Sequence, residues 1–212
     1  ETGRTDIGGP TPLVYGWRYV LGFTCVNSGY IQLHFASVRS EAVTIIDSFL
    51  HRLSTGGLFP KITPADINTV VIASDNAGEF LSSEMTALRD KYGFFHTTGS
   101  AYMHNDMFAI ESAWSRLERM CRAMHVCRPE LPLDPWPFQW ATAAQMHNAT
   151  AHRHAGHLRA PALVLAATDR DKPLDLQHIY RYGDSALLVT PAEIRPGKHL
   201  PRGRIVHILC WD

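Results

Sequence analysis

Apolar residues recur along the chain at two spacings, and these spacings predict alternating strands and helices. Short runs rich in β-branched and aromatic residues at 17–26, 30–36 and 69–74 are typical of strands. Apolar residues three or four apart over 39–53 and 110–126 are typical of amphipathic helices. Residues 4–9, just before Pro10, are expected to end a first strand, so the order is three strands, a helix, a strand, a helix, a strand and further helices. This order predicts an α/β fold with a mixed sheet.

Turn and cap residues mark the ends of several elements. Asn27, Ser28 and Gly29 separate the second and third strands, which predicts a hairpin. Ser82 is placed to cap a helix over 83–93, and Gly93 is placed to end it. The remaining predicted elements are a strand at 94–98 and helices at 138–152 and 160–167.

The character of the chain changes near its C-terminal end. Two strand-like runs at 178–189 and 204–211 are joined by a polar segment that contains prolines. This change predicts a core domain at 1–170 and a small β-rich extension at 171–212. Residues 99–108 lack periodicity and predict a mobile loop.

Composition excludes some partners and leaves others open. The 20 basic and 20 acidic residues give a formal net charge of zero, so any site for a polyanion must be local. No apolar run approaches the roughly 18 residues of a membrane span. The four cysteines lack zinc-module spacing and fit a reducing compartment. The histidine-rich segment 147–157 is expected to be a solvated helix end and loop rather than a zinc site.

Three carboxylates occupy positions that favour a metal site. Asp6 lies on the first predicted strand, Asp75 directly follows the strand at 69–74, and Glu111 opens the long helix after the predicted loop. Thirty-five residues separate Asp75 from Glu111. Carboxylates that converge from strand ends and a helix suit hard cations such as Mg²⁺. Ordinary turn chemistry is the alternative for the Asp-Asn pair at 75–76.

These residues carry a resemblance to a known family. A D-x-x-G-P motif at Asp6, S-D-N-x-x-E-F at 74–80 and Glu111 at its spacing resemble the catalytic cores of retroelement integrases. Those proteins are D,D(35)E polynucleotidyl transferases of the ribonuclease H-like fold, with a five-stranded mixed sheet flanked by helices. Segments 140–161, 173–189 and 198–212 are similar to the corresponding parts of Ty1/copia-type elements.

The resemblance implies an activity and a set of ligands. Such cores bind two Mg²⁺ or Mn²⁺ ions with DNA bound, trim the 3′ ends of element DNA and join them to target DNA. Asp6, Asp75 and Glu111 would be the catalytic metal ligands, Asn76 would set the turn or touch substrate, and Glu79 would have a supporting role. Homodimers or higher assemblies on DNA are expected, without a membrane. The expected location is the nucleus, after cytoplasmic element particles.

Further residues are candidates for contacting DNA. At about 100° per residue, Arg119 and Arg122 fall within about 80° of the direction of Glu111, away from the apolar stripe of the helix. They are placed to contact phosphates, although a merely solvated face is the alternative. Tyr102, in the predicted loop, is a candidate to stack on a base.

Three residues that depart from the family pattern leave other functions open. Met107 and Phe108 stand where the family carries an Asn-Gly loop, and Ser112 stands where an arginine commonly follows the glutamate. A domesticated or inactive core that binds DNA or protein is therefore the leading alternative. A metal-dependent nuclease that cuts without joining is the third.

Overall fold

A computed structural model of the chain describes residues 2–9, 11–55, 69–98, 108–129, 136–154, 157–166, 183–189 and 203–207. The strands are β1 Thr2–Gly8, β2 Tyr19–Cys25, β3 Ile31–Ala36, β4 Val71–Ser74, β5 Phe95–Thr98, β6 His152–His154, β7 His157–Arg159, β8 Ser185–Val189 and β9 Gly203–His207. The helices are α1 Ala42–Ser54, α2 Ser83–Tyr92, α3 Phe108–Cys127, α4 Trp136–Ala149 and α5 Pro161–Ala166, and a 3-10 turn at Arg39–Glu41 precedes α1.

Five strands form one mixed sheet in the order β3-β2-β1-β4-β5. The pairs β1–β2 and β2–β3 are antiparallel, whereas β4 runs parallel to both β1 and β5. The predicted hairpin is present, and Gly29 adopts the left-handed backbone that its tight turn requires, with φ of 72°. The predicted α/β fold with a five-stranded mixed sheet is therefore confirmed.

Helices cover both faces of this sheet. Leu21 and Phe23 of β2 pack with buried residues of α1 and α2 on one face. Ile31 of β3 packs with Leu117 of α3 and Ala143 of α4 on the other. Alternate residues of a strand point to opposite faces, so neighbouring positions of β2 serve two different cores. The sheet is the middle layer of three.

The capping residues act as the sequence predicts. The Ser82 hydroxyl accepts a hydrogen bond from the Met85 N–H at 3.2 Å, and Gly93 ends α2 with φ of 74°. Helix α4 begins earlier than predicted, because Pro137 lies in its first turn, where a missing N–H costs nothing. It ends at Ala149 rather than at residue 152.

One side chain bonds the backbone of the sheet's edge strand β3 at its first residue. The Ile31 N–H donates to Asn148 Oδ1 at 2.9 Å, and Asn148 Nδ2 donates to the Ile31 carbonyl at 2.7 Å. At this residue the amide supplies the two hydrogen bonds that a partner strand would otherwise make. Asn148 and Ile31 are both buried, so these bonds satisfy backbone groups that water does not reach.

The expectation for the histidine-rich segment is wrong at two points. His147 is buried, at 3% exposed, because the end of α4 packs on the β2–β3 turn and the ring bonds the Gly29 carbonyl at 3.0 Å. The segment after α4 forms the short antiparallel pair β6–β7 instead of a loop. Backbone pairing holds the two strands together, and the polar sequence gives no periodic signal for them.

The C-terminal part is described only in pieces. Strands β8 and β9 form a separate antiparallel pair, and an ion pair of 3.0 Å joins Arg128, just past α3, to Asp184. The predicted boundary at 170 and 171, and the predicted strand residues 178–182 and 208–211, lie outside the described residues. The division into two domains stays a prediction. None of the described helices is both long enough and apolar enough to span a bilayer.

Candidate metal and nucleic-acid site

Asp6 lies near the end of β1, and Asp75 directly follows β4, the parallel strand beside it. The register of β1 and β4 pairs Thr2 with Val71, and Gly3 and Arg4 with the next two residues of β4. Two residues further along, the same register places Asp6 opposite Asp75. Adjacent strands are about 4.8 Å apart, so the backbones of Asp6 and Asp75 lie next to each other at this point.

The Asp6 carboxylate lies on the face of the sheet that α3 covers. Thr5 is fully buried and Ile7 packs against the cluster of α1 and α2, so the alternating residue Asp6 points to the other side. The indole Nε1–H of Trp114 in α3 donates to Asp6 Oδ2 at 2.9 Å. This bond fixes the orientation of a half-buried carboxylate.

A glycine makes room for the indole. Gly22 of β2 is paired with Asp6 in the sheet. A Cβ at Gly22 would lie 2.7 Å from Cη2 of Trp114, which is closer than carbon atoms approach. Trp114 also packs edge-on against Trp140 of α4, with ring centroids 5.2 Å apart. The absent side chain at Gly22 therefore sets the position of the group that holds Asp6.

Backbone and neighbouring side chains position Asp75. Its Oδ1 accepts a hydrogen bond from the Ala77 N–H at 3.2 Å, which is the local bond of an Asx turn. The preceding Ser74 is fully buried, and its hydroxyl bonds the Asp75 carbonyl at 3.0 Å and His96 Nε2 at 2.9 Å. The turn chemistry weighed as an alternative is thus present, and it orients the carboxylate at the same time.

Glu79 is tied to another part of the fold. Its carboxylate forms an ion pair of 2.9 Å with Arg39 in the 3-10 turn before α1. This contact links the segment after β4 to the connection between β3 and α1. A positioning role fits the supporting part that the resemblance implies for Glu79.

Glu111 lies in the first turn of α3 and is exposed. It precedes Trp114 by three residues, and residues three apart are neighbours on a helix surface. The contact of Trp114 with Asp6 therefore brings the Glu111 side of the helix toward the carboxylate pair. Among the described residues, however, no three His, Cys, Asp or Glu side chains are arranged so that they hold a metal ion.

The donors present fit a hard divalent cation with few protein ligands. Mg²⁺ takes oxygen ligands and is usually held by one or two carboxylates, with waters and substrate phosphates completing its shell. Asp6 and Asp75 supply such a pair. Oδ2 of Asp75 accepts no hydrogen bond from any described residue, whereas both oxygens of Asp6 accept one.

The candidate DNA-contacting residues are on the surface where they are described. Asn76 is exposed directly after Asp75. Arg119 donates to the Ser115 carbonyl of its own helix at 3.1 Å, and Arg122 pairs with Glu118 at 3.1 Å. Both arginines are exposed on α3. This exposure fits contact with DNA phosphates and fits a merely solvated face equally well. Tyr102 and Met107 lie outside the described residues, and Phe108 begins α3.

Sequence reasoning missed the two residues that organise the site around Asp6. The helical spacing of apolar residues places Trp114 in the apolar stripe of α3, yet its indole nitrogen bonds a carboxylate. Gly22 lies within the predicted strand at 17–26, and the strand pattern gives it no separate role. A glycine inside an apolar strand signals close approach by another group, and this signal was available.

Comparisons with known proteins place the fold among integrases. A chain of the simian T-cell lymphotropic virus intasome in complex with PP2A regulatory subunit B56 gamma superposes with a TM-score of 0.57 at 16% identity, over 96% of this chain and 66% of that one. The catalytic core domain of BIV integrase superposes with a TM-score of 0.51 at 16% identity, over 79% of this chain and 94% of that one. No protein-family model and no curated protein sequence matches the chain. The similarity shows that the chain has the α/β fold of integrase catalytic cores.

Proposed function

We propose that this chain is the catalytic core of a Ty1/copia-like retroelement integrase, which processes the 3′ ends of element DNA and joins them to target DNA. The observation that carries the proposal is the pair of Asp6 and Asp75 on adjacent parallel strand ends, in a fold shared with integrase cores. The motif spacing that continues to Glu111 supports it.

Asp6, Asp75 and Glu111 would hold Mg²⁺ or Mn²⁺, two ions with DNA bound. When bound, the metal ions supply activation of a water or 3′-hydroxyl and stabilisation of the leaving oxygen. The residues of the chain do the positioning. Trp114 holds Asp6 through its indole N–H, and the Ala77 N–H holds Asp75. Metal binding is favoured when the ligating side chains are already oriented.

The wider setting of the proposal follows from the same activity. The partners would be element ends and target DNA, bound by a homodimer or a larger assembly. Arg119 and Arg122 would contact the DNA backbone, because arginines on one helix face suit phosphates. The location would be the nucleus, reached from cytoplasmic element particles.

One observation favours a second function, a catalytically inactive core that binds DNA or protein. Both carboxylate oxygens of Asp6 are already engaged by N–H donors, and three acidic side chains are not gathered within the described part of the chain. A ligand to a metal must give up or share such bonds. The integrase proposal therefore requires DNA or metal to draw Glu111 closer to the pair.

A plasmid assay separates these functions. The protein is incubated with supercoiled plasmid, a labelled blunt duplex and Mn²⁺. Strand transfer moves label into the plasmid, whereas a nuclease relaxes the plasmid without taking up label. Asp6→Asn, Asp75→Asn and Glu111→Gln should each abolish label transfer, and Asp90→Asn, an exposed carboxylate on α2, is the matched control. DNA binding without either product would contradict the proposal and favour the inactive module.

A further inference from the structure

A cavity of about 200 Å³ lies between the first turns of α3, the β2–β3 hairpin and the end of α4. Its polar lining comes from Thr24, Ser112, Arg116 and His147, together with Gly29. The volume far exceeds the roughly 10–15 Å³ that a single water needs. This α3–hairpin cavity therefore has room for a chemical group of several atoms.

The hydrogen bonds of His147, which lines this cavity, define which of its ring nitrogens carries a proton. Arg116 Nη1 and His147 Nδ1 are 3.3 Å apart, and His147 Nε2 is 3.0 Å from the Gly29 carbonyl. A guanidinium only donates and a carbonyl only accepts, so Nδ1 is the acceptor and Nε2 carries the proton. His147 is thus neutral and holds the guanidinium of Arg116 at the cavity.

Arg116 is a half-buried cation with no acidic ion-pair partner in the described part of the chain. On the same helix, Arg122 pairs with Glu118 and Arg128 pairs with Asp184. No described Asp or Glu forms an ion pair with Arg116, and its one described hydrogen bond leaves other guanidinium N–H groups available. Burial, and secondly the positive charge of Arg119, lower the pKa of Arg116. A buried cation of this kind favours an anion beside it.

Thr24 supplies independent support for a ligand. Its hydroxyl is buried, with the residue 3% exposed, and it has no hydrogen-bond partner among the described residues. Buried hydroxyl groups almost always have a partner. Thr24 lines the same cavity as Ser112 and Arg116, so a ligand bound there is a candidate partner for its hydroxyl. The first turns of α3 add the positive end of the helix dipole.

We propose that the α3–hairpin cavity binds a phosphate group, with Arg116 as the ionic partner and Thr24 and Ser112 as hydroxyl donors. A guanidinium fork and hydroxyl groups match the oxygens of a phosphate. The phosphate comes either from a small molecule, as inorganic phosphate or a mononucleotide, or from the 5′ end of a DNA strand. The site requires no metal and does not use Asp6 or Asp75, so it stands apart from the proposed strand transfer.

Calorimetric titration in EDTA tests the site. The probes are inorganic phosphate, dAMP, and a DNA oligonucleotide with and without a 5′ phosphate, at constant ionic strength. Wild-type protein should bind inorganic phosphate saturably at millimolar concentration or below. Arg116→Gln should weaken binding tenfold or more, because it removes a charged partner. Arg89→Gln, which removes an exposed arginine on α2, should leave the affinity unchanged.

Thr24→Val is a second variant that tests the site if Arg116→Gln does not fold. It should lower phosphate affinity severalfold, with an unfolding midpoint equal to or above that of wild type, because the lost hydroxyl has no described partner. If the oligonucleotide competes with phosphate only when it carries a 5′ phosphate, the site binds a DNA end. If phosphate and dAMP bind equally and the oligonucleotide does not compete, the site binds a small molecule. A flat phosphate titration, or unchanged affinity in both cavity variants, overturns the proposal.

Discussion

The contact between Gly22 and Trp114 makes Gly22→Ala an informative substitution. The added methyl would lie 2.7 Å from Cη2 and 2.9 Å from Cζ2 of the indole. Non-bonded carbons prefer about 3.5–4.0 Å, so the ring must shift by about 1 Å or the strand must strain. A shift of that size takes the indole N–H away from Asp6, to which it now donates at 2.9 Å.

Both responses destabilise the folded chain. Overpacking costs about 1–3 kcal/mol when the ring stays. Loss of a hydrogen bond to a charged group costs about 1.5–3 kcal/mol when the ring moves. Alanine recovers about 0.5–1 kcal/mol because it restricts the unfolded chain more than glycine does. The net expectation is a loss of about 1–2 kcal/mol in the free energy of unfolding.

Urea unfolding of four proteins measures this coupling. Wild type, Gly22→Ala, Trp114→Phe and the double variant form a double-mutant cycle. The phenylalanine has no N–H and a smaller ring, so Gly22→Ala should cost much less in its presence. Gly78→Ala is the control, since nothing lies within 4 Å of a Cβ at that position, and it should leave stability nearly unchanged.

Two outcomes contradict this account of the site. One is a Gly22→Ala protein as stable as wild type, which would mean that the indole does not lie against β2. The other is an equal cost in the wild-type and Trp114→Phe backgrounds, which would place the strain elsewhere.

Three further predictions concern other parts of the fold. Asn148→Leu should lower the free energy of unfolding by at least about 2 kcal/mol in urea melts, because it removes both hydrogen bonds to the Ile31 backbone. A smaller loss than that of an Asn→Leu substitution at an exposed position would refute the role given to these two bonds. Burial lowers the pKa of His34 to about 4, so the folded state resists protonation of this ring. The free energy of unfolding should therefore fall as the pH drops from about 6.5 to 4, by up to about 1.4 kcal/mol per pH unit. His34→Gln should flatten that slope, and an unchanged slope would exclude His34 as its source. Burial raises the pKa of the Cys121 thiol to about 12, so mass spectrometry after alkylation at pH 8 should find exposed Cys127 modified and Cys121 protected until unfolding.

Local chemistry made much of the fold predictable. Residues close in sequence determine β2, β3, the cap at Ser82 and the end of α2 at Gly93. The pattern of residue types along the chain is therefore enough to predict them. The five-stranded sheet followed from the order of these elements and from the family resemblance.

Features that depend on distant residues were not predictable in the same way. Asn148 and Ile31 are 117 positions apart, and a pattern of residue types along the chain cannot show that they pair. His147 is polar by type but buried by its bond to Gly29, so the composition of its segment was misleading. At the site, the motif gave Asp6 and Asp75, while the indole that holds Asp6 became visible only when α3 was packed on β2.

The central claim is that Asp6 and Asp75 form a metal site, and thermal melting in a Mn²⁺ titration tests it most directly. Wild type, Asp75→Asn and the control Asp90→Asn are compared. At ten times the dissociation constant, Mn²⁺ should stabilise wild type by about 1.4 kcal/mol, or about 3–6 °C in Tm. Asp75→Asn should melt higher than wild type without metal, because it removes one of two adjacent negative charges, and should not respond to Mn²⁺. Asp90→Asn should respond as wild type does. A wild-type protein whose Tm ignores millimolar Mn²⁺ would contradict the claim and leave the inactive binding module as the better account.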